Sequence, residues 1–258
     1  MKNKWALITG ASSGIGKELA FKHARKGGNL VLLARREREL QDLKELLIAK
    51  YEVNVLIYPI DLTENDAIRK VLYFLNQEKI QVEVLMNNAG FGGYGLFMDR
   101  SIENDLKMVD LNIKSLIELT HAILPMMKEK NAGFILNTAS TAGFLPGPLQ
   151  ATYFATKAFV VSFTEAISYE LKHTGISVTA LCPGPVKTEF EKSAGMEGGK
   201  FFENAMSAQL TAERAYKAME RKKVVFISEY PLAVALRFIL PIIPRRWQAA
   251  MVYRLQKM

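Results

Sequence analysis

Apolar residues form two alternating patterns along this chain. Short runs in which nearly every side chain is apolar have the length of strands. Longer segments with apolar side chains every three or four positions have the periodicity of helices. The runs predict strands at 5–9, 29–34, 53–58, 84–86, 133–137, 176–182 and 224–227. The periodic segments predict helices at 17–24, 37–50, 64–77, 102–127 and 150–172.

The apolar character of the strands indicates how they are arranged. A strand that is apolar at consecutive positions is buried on both faces, as in a parallel sheet covered by helices on either side. Each crossover between such strands should be right-handed. The chain has 258 residues, 49% of them hydrophobic, which is enough for one large core. We therefore predict an α/β fold with a parallel sheet of about seven strands, as a single domain over 1–258.

A glycine-rich turn directly follows the first predicted strand. Strand, glycine-rich turn and helix together form a phosphate-binding arrangement, because the glycines let the backbone approach a pyrophosphate and the helix N-terminus offers unpaired N–H groups. The spacing is Gly-xxx-Gly-x-Gly, which differs from the common dinucleotide fingerprint. Taken alone, the turn could also be a plain tight loop. The residues predicted to hold a phosphate-bearing cofactor here are Gly10, Ser12, Ser13, Gly14, Ile15 and Gly16.

A tyrosine and a lysine stand four residues apart in the predicted helix 150–172. Tyr153 and Lys157 therefore share one helix face, within reach of each other. An ammonium group beside a phenol favours the phenolate and lowers the phenol's pKa, which suits proton transfer near neutral pH. Ser140, thirteen residues before the tyrosine, is a further hydroxyl that could act on the same substrate oxygen. Such a pair is common in helices, so its meaning depends on the rest of the chain.

Taken together, these residues resemble the short-chain dehydrogenase/reductase family over roughly residues 4–190. The matching segments are 9–16, 87–90, Asn112, Ser140, Tyr153 with Lys157, and 183–184, in the family's order and spacing. The resemblance implies a Rossmann-type, doubly wound parallel sheet with helices on both faces. It also implies an oxidoreductase that transfers a hydride between a nicotinamide and a carbonyl or alcohol.

The resemblance implies a role for each of four catalytic residues. Tyr153 would protonate the carbonyl oxygen as general acid, and Ser140 would hydrogen-bond the same oxygen. Lys157 would lower the pKa of Tyr153 and hold the nicotinamide ribose. Asn112 would hold a water that links Lys157 to solvent.

The end of the second predicted strand indicates which nicotinamide cofactor is used. A carboxylate there would bind the free ribose hydroxyls of NAD and repel a 2′-phosphate. This chain instead has Arg35 and Arg36, whose guanidinium groups suit a phosphate, so we predict NADP(H). The alternative is that both arginines cap the strand end or face solvent. By resemblance, the remaining cofactor contacts are Asp61, Leu62, Asn88, Ala89, Gly90, Tyr153, Lys157, Pro183, Gly184, Val186 and Thr188.

Residues 189–208 are rich in glycine and small side chains, and by resemblance they form a lid over the substrate. The segment 143–148, between Ser140 and Tyr153, predicts an apolar pocket together with five aromatic residues, and hence an apolar carbonyl or alcohol substrate. The aromatic residues are Phe91, Tyr94, Phe190, Phe201 and Phe202. The chief alternative is reduction of an oxoacyl thioester on coenzyme A or a carrier protein. An alternative of a different class is a non-catalytic NADP-binding sensor or scaffold.

Composition excludes several other classes of function. The net charge of +8 would suit nucleic acid, but the chain has no zinc-ligand pattern, RNA-binding motif or long basic run, so we predict no nucleic-acid partner. Three scattered histidines without ligand spacing predict no metal site. A single cysteine, Cys182, excludes an internal disulfide. Because residues 1–4 lead straight into the first strand, we expect no secretory signal and a cytoplasmic location.

The C-terminal extension 230–258 combines apolar residues with arginines. Its apolar part, 230–247, is interrupted by Arg237, Pro241 and Pro244, so it is too short and broken to span a bilayer. Residues 248–258 predict a basic amphipathic helix. The extension could contact a membrane surface peripherally or shape a substrate entrance; alternatively it packs in the core or in a dimer interface. We expect a homodimer through helices 102–127 and 150–172, with a tetramer as the alternative.

Overall fold

The computed structural model describes residues 1–196 and 205–257. The strands are β1 (Trp5–Thr9), β2 (Asn29–Ala34), β3 (Val55–Pro59), β4 (Val82–Asn87), β5 (Gly133–Thr138), β6 (Ile176–Cys182), β7 (Val186–Lys187), β8 (Met206–Ser207) and β9 (Val225–Ile227). The main sheet has seven parallel strands, in the order β3-β2-β1-β4-β5-β6-β9. A second sheet pairs the short strands β7 and β8. The main sheet confirms the predicted Rossmann-type α/β fold as a single domain.

Helices connect the strands and cover both faces of the sheet. They are α1 (Gly14–Ala24), α2 (Glu37–Tyr51), α3 (Ala67–Gln77), α4 (Ile102–Val109), α5 (Ser115–Glu129), α6 (Ala151–Glu170), α7 (Phe190–Ser193), α8 (Ala208–Glu220), α9 (Tyr230–Val234) and α10 (Arg245–Gln256). Single 3₁₀ turns span Phe97–Asp99, Thr141–Phe144 and Leu240–Ile242, and π turns span Asp110–Lys114 and Ala235–Ile239.

The central strand β1 shows how one apolar run serves two cores. Because side chains alternate across a strand, Ala6 and Ile8 face the core beneath α1, α2 and α8. Leu7 faces the opposite core, beneath α3, α5 and α6. All three are fully buried. Helices therefore cover both faces of the sheet, and the carboxyl ends of its strands are where a ligand can approach.

Strand order reverses direction at β1, which lies between β2 and β4. In open α/β sheets, ligands bind in the crevice at such a reversal, outside the carboxyl ends of the strands. The glycine-rich turn follows β1 at this point, and the loop that starts at Asn88 follows β4. The topology thus brings two of the predicted site segments to the same place.

The structure differs from the sequence prediction in several elements. The predicted helix 102–127 is two helices, α4 and α5, joined by the π turn 110–114. Helix α8 is not predicted by the apolar periodicity. Ser207 precedes it, and the Ser207 side chain accepts a hydrogen bond from the backbone N–H of Leu210. The small β7–β8 sheet and the short helices α7 and α9 are also additional. Other boundaries shift by one to three residues.

Candidate active site

Three of the four predicted catalytic residues meet at the end of β5 and the start of α6. Ser140 follows β5 and begins the 3₁₀ turn, where its Oγ accepts a hydrogen bond from the backbone N–H of Ala142. The same hydroxyl lies close enough to Tyr153, in the first turn of α6, to lower the pKa of that phenol. One turn later, the Lys157 Nζ lies 5.7 Å from the centre of the Tyr153 ring. A hydroxyl, a phenol and an ammonium group therefore converge on one spot.

Burial changes the acid–base properties of this group. It raises the pKa of Tyr153 to about 12, and the nearby Ser140 hydroxyl only partly opposes the increase. For the chain alone, this is opposite to the lowering that the spacing of Tyr153 and Lys157 predicts. The physical reason is that removing a phenolate from water costs more free energy than its contacts with neighbouring groups restore. At neutral pH the phenol is therefore protonated.

Lys157 is held by the backbone rather than by a carboxylate. Its Nζ donates to the carbonyl oxygen of Thr138 at 2.7 Å, and the residue is only 5% exposed. Burial lowers the pKa of Lys157 to about 8. The amine therefore titrates within reach of physiological pH.

Asn112, the fourth predicted catalytic residue, lies in the π turn and is buried. Its Nδ2 donates to the Phe91 carbonyl at 3.0 Å and to the Thr156 hydroxyl at 3.1 Å. Its Oδ1 accepts from the Phe91 N–H at 3.1 Å. These bonds tie the loop after β4 to helix α6. The structure thus gives Asn112 a loop-positioning contact that the resemblance did not imply.

The glycine-rich turn packs so closely that side chains are excluded. A Cβ on Gly16 would lie 2.3 Å from the Gly10 carbonyl oxygen. Gly10 has a φ of +64°, and a Cβ there would lie 2.9 Å from the Ala89 Cα. Ser13 precedes helix α1 in an extended conformation and forms no side-chain cap, so the first-turn N–H groups remain available to an anion. This donor set fits the pyrophosphate of a dinucleotide.

Thr9 is a site residue that the sequence analysis did not single out. Its Oγ1 accepts hydrogen bonds from the backbone N–H groups of Asn88 and Ala89, both at 2.9 Å. The Asn88 side chain donates back to the Thr9 carbonyl at 3.1 Å. These bonds join the end of β1 to the loop after β4. The sequence signal that could have identified Thr9 is a polar residue at the end of an otherwise apolar run.

The two predicted phosphate-binding arginines point in different directions. Arg36 reaches the glycine-rich turn, where its Nε and Nη2 donate to the Ser12 hydroxyl at 3.2 and 3.0 Å. Its Nη2 also lies 2.9 Å from the Glu189 carboxylate. Arg35 is 78% exposed and lies 3.8 Å from Asp61. Leu62, beside that aspartate, is buried.

The sequence model of the short chain dehydrogenases matches residues 4–197 of this chain. The chain belongs to the short-chain dehydrogenase/reductase family. Members of this family are oxidoreductases that use nicotinamide cofactors.

Individual relatives span most of the chain. An NADP-dependent 3-hydroxy acid dehydrogenase of Schizosaccharomyces pombe is 37% identical over 192 residues, covering 74% of each protein. The very-long-chain 3-oxoacyl-CoA reductase-B of Danio rerio is 35% identical over 196 residues, covering 73% of this chain and 61% of that protein. A short-chain dehydrogenase from Sphingobium yanoikuyae, solved in complex with NADPH, superimposes with a TM-score of 0.84 at 31% identity, covering 94% of this chain and 97% of the other.

In this dehydrogenase/reductase, the segment after β6 runs across the mouth of the site. The Pro183 carbonyl accepts a hydrogen bond from Ser140, and the Gly184 N–H donates to Glu229. Val186 is buried in β7, and the Thr188 methyl group lies 3.0 Å from where a Gly14 Cβ would be. Of the predicted cofactor residues in this segment, Pro183 therefore borders Ser140 and Thr188 borders the glycine-rich turn.

The start of the predicted lid touches both halves of the site. The Phe190 ring lies 5.2 Å from the Tyr153 ring. The neighbouring carboxylate of Glu189 contacts Arg36, which lowers the pKa of Glu189 below its usual value, with further help from Ser13. Phe201 and Phe202 lie outside the described residues.

Helix α10, at the end of the C-terminal extension, packs beside Tyr153. Val252 is buried in a cluster with Ala142 and Phe154, against which Tyr153 also packs. At the end of α10, the Gln256 carbonyl accepts a hydrogen bond from the Tyr94 hydroxyl at 2.8 Å. The C-terminal extension thus packs against the catalytic domain beside the tyrosine.

Proposed function

We propose that this family member is an NADP(H)-dependent reductase of apolar carbonyl compounds, with Tyr153 as general acid. The observation that carries the proposal is the convergence of Ser140, Tyr153 and Lys157 beside the glycine-rich turn. When bound, the reduced nicotinamide supplies the hydride, and the oxidised form accepts one in the reverse direction.

The side chains of the chain supply the remaining chemistry. The Tyr153 phenol, protonated at neutral pH, donates its proton to the carbonyl oxygen as negative charge develops there. The Ser140 hydroxyl, which lies beside the same phenol, orients and polarises that oxygen. Lys157 holds the nicotinamide ribose and returns a proton towards the phenol.

Our proposal of NADP(H) over NAD(H) rests on Arg36. Its guanidinium group already binds Ser12 in the phosphate-binding turn, and β2 ends without a carboxylate. The NADP-dependent yeast relative and the NADPH complex of the Sphingobium enzyme support this choice. Replacing Arg36 by alanine should weaken NADPH binding about 10- to 100-fold, the usual worth of charge-assisted hydrogen bonds, while NADH binding stays the same. An equal loss for both cofactors would refute the assignment.

The proposed substrate is apolar at the carbons next to its carbonyl group. Phe190, Phe154 and Val252 surround Tyr153 with apolar surface. A 3-oxoacyl thioester is the second candidate, favoured by the named activity of the zebrafish relative. The thioester would place its 3-oxo group at Tyr153 and its acyl chain against the same apolar side chains.

The direct test measures NADPH oxidation with ketones, aldehydes and 3-oxoacyl thioesters, for wild type beside Tyr153→Phe. We expect turnover that falls by a factor of about 10² to 10⁴ in the variant, because the general acid is lost while the ring remains. Equal turnover in both proteins would exclude Tyr153 as the acid. Tight NADPH binding without turnover of any member would favour a non-catalytic NADP-binding role.

Assembly and location remain predictions. We propose a homodimer through α4, α5 and α6, with a tetramer as the alternative, and a cytoplasmic location with peripheral membrane contact. Sedimentation of the purified protein and fractionation of cells would test these statements.

A further inference from the structure

The C-terminal extension is basic throughout. From residue 230 onward the chain has five basic side chains and no aspartate or glutamate. Arg246 and Arg254 are exposed and form no hydrogen bond or ion pair within the described part of the chain. Their charges therefore face solvent without compensation.

Helix α10 in this extension has two different faces. The inner face buries Gln248 and Val252 against the domain. On the outer face, Trp247, Met251 and Leu255 recur every four residues and are 71%, 38% and 62% exposed. Together with Ala250 and Arg254 they form a shallow surface hollow. An apolar stripe with arginines beside it thus points away from the protein.

The turns before α10 repeat this division. Leu236 and Leu240 are buried in the core beside β6 and α6, whereas Phe238 and Ile242 are 67% and 83% exposed. Large apolar side chains that protrude singly into water gain little in the monomer. No helix in the described residues is long and apolar enough to cross a bilayer. A surface contact is therefore the geometry available to this extension.

Either a second copy of the chain or an anionic surface could cover these residues, and the charge of the extension distinguishes between the two. A second copy of the chain, facing the first across a two-fold axis, would bring two uncompensated basic faces together. An anionic surface instead neutralises the arginines while Trp247 and Leu255 leave water. Tryptophan and aliphatic residues beside arginine are characteristic of helices that lie in a membrane interface.

We propose that the outer face of α10, together with residues 238–242, docks on an anionic lipid bilayer. The inner face of the same helix packs beside Phe154 and Tyr153. Docking therefore places the bilayer on the substrate side of the catalytic tyrosine. An apolar substrate dissolved in the membrane would then reach the site along α10. The docking itself does not depend on the proposed reaction.

The test uses the full-length protein and vesicles of phosphatidylcholine with or without phosphatidylglycerol. Wild type should co-sediment with the anionic vesicles and stay in solution with the neutral ones. The double variant Arg246→Glu/Arg254→Glu should partition at least roughly 30-fold less, since each basic residue near an anionic surface contributes about fivefold. Trp247→Ser/Leu255→Ser should also weaken binding, including at high salt, where charge attraction is screened.

Matched controls separate docking by this face from a general effect of charge. Arg221→Glu/Lys223→Glu changes the net charge equally at exposed positions outside the extension. Tyr73→Ser removes a comparably exposed aromatic side chain, 67% exposed on α3. Both controls should bind as wild type does. Absence of wild-type binding, or an equal loss in the control Arg221→Glu/Lys223→Glu, would overturn the proposal. So would a dimer that dissociates in Trp247→Ser/Leu255→Ser, because the face would then join two copies.

Discussion

A buried histidine joins helix α1 to helix α8 and should make the stability of the protein depend on pH. His23 is fully buried. Its Nε2 lies 2.9 Å from the Lys4 carbonyl oxygen, which can only accept, so Nε2 carries the proton. Its Nδ1, 2.7 Å from the Tyr216 hydroxyl, then accepts a hydrogen bond. Burial lowers the pKa of His23 to about 4.

The magnitude follows from the difference between the folded and unfolded pKa values. The unfolded chain takes up a proton on this residue at about 6.5, whereas the folded chain does so only at about 4. The unfolded state therefore binds more protons below pH 6.5. The stability is complete above that pH and is lost progressively as the pH falls towards 4. At pH 5 the loss is about 2 kcal/mol.

Urea unfolding at pH 8 and at pH 5 measures this loss. The variant His23→Gln lacks the titrating group, so its free energy of unfolding should fall by about 2 kcal/mol less than that of wild type between the two values. His173→Gln, at an exposed histidine, is the control and should keep the wild-type pH dependence. If His23→Gln lost stability between pH 8 and pH 5 as steeply as wild type, the reasoning would be wrong.

Three further predictions concern the site. Glu189→Gln frees the Arg36 guanidinium from a partly exposed ion pair, so 2′,5′-ADP should bind about two- to fivefold more tightly while the binding of 5′-ADP is unaffected. Calorimetric titration of both ligands measures this, and equal affinity of variant and wild type for 2′,5′-ADP would contradict it. Val252→Ala opens space beside Phe154, and should cost about 1–3 kcal/mol of stability and raise KM for the carbonyl substrate but not for NADPH; a higher KM for NADPH alone would refute it. Gly10→Ala forces a Cβ towards Ala89 at a positive φ, and should weaken NADPH binding by at least tenfold in fluorescence titration; unchanged binding would show that the turn adapts.

The fold was predictable from the sequence because its strands are apolar on both sides and its helices carry clear apolar stripes. Helix α8 was not predicted because the side chains it buries include Thr211, Ala212 and Ala215, which give little contrast between apolar and polar positions. Its largest buried side chain, Tyr216, is a residue type found both inside and outside cores. The π turn within 102–127 was not predicted because one additional residue in a turn barely alters the spacing of apolar positions.

The candidate site was predictable as a set of residues but not as a set of contacts. Tyr153, Lys157 and Ser140 lie together because one helix face and one strand end place them so. The ion pair between Arg36 and Glu189 joins residues far apart in the chain, and a single sequence does not show which charges meet. The direction of the Tyr153 pKa shift depends on burial, which no spacing of residues reveals.

Because of the π turn between α4 and α5, the geometry of the site depends on the number of residues in this turn as well as on their side chains. Asn112 reaches Phe91 and Thr156 because this turn contains an additional residue. Deleting one residue other than Asn112 within 110–114 would leave an ordinary helical turn and move Asn112 to another position around the helix axis. Every site residue would still be present, yet the amide would face away from its partners. A variant or relative can therefore lose the function of this site through a one-residue gap while retaining the whole motif.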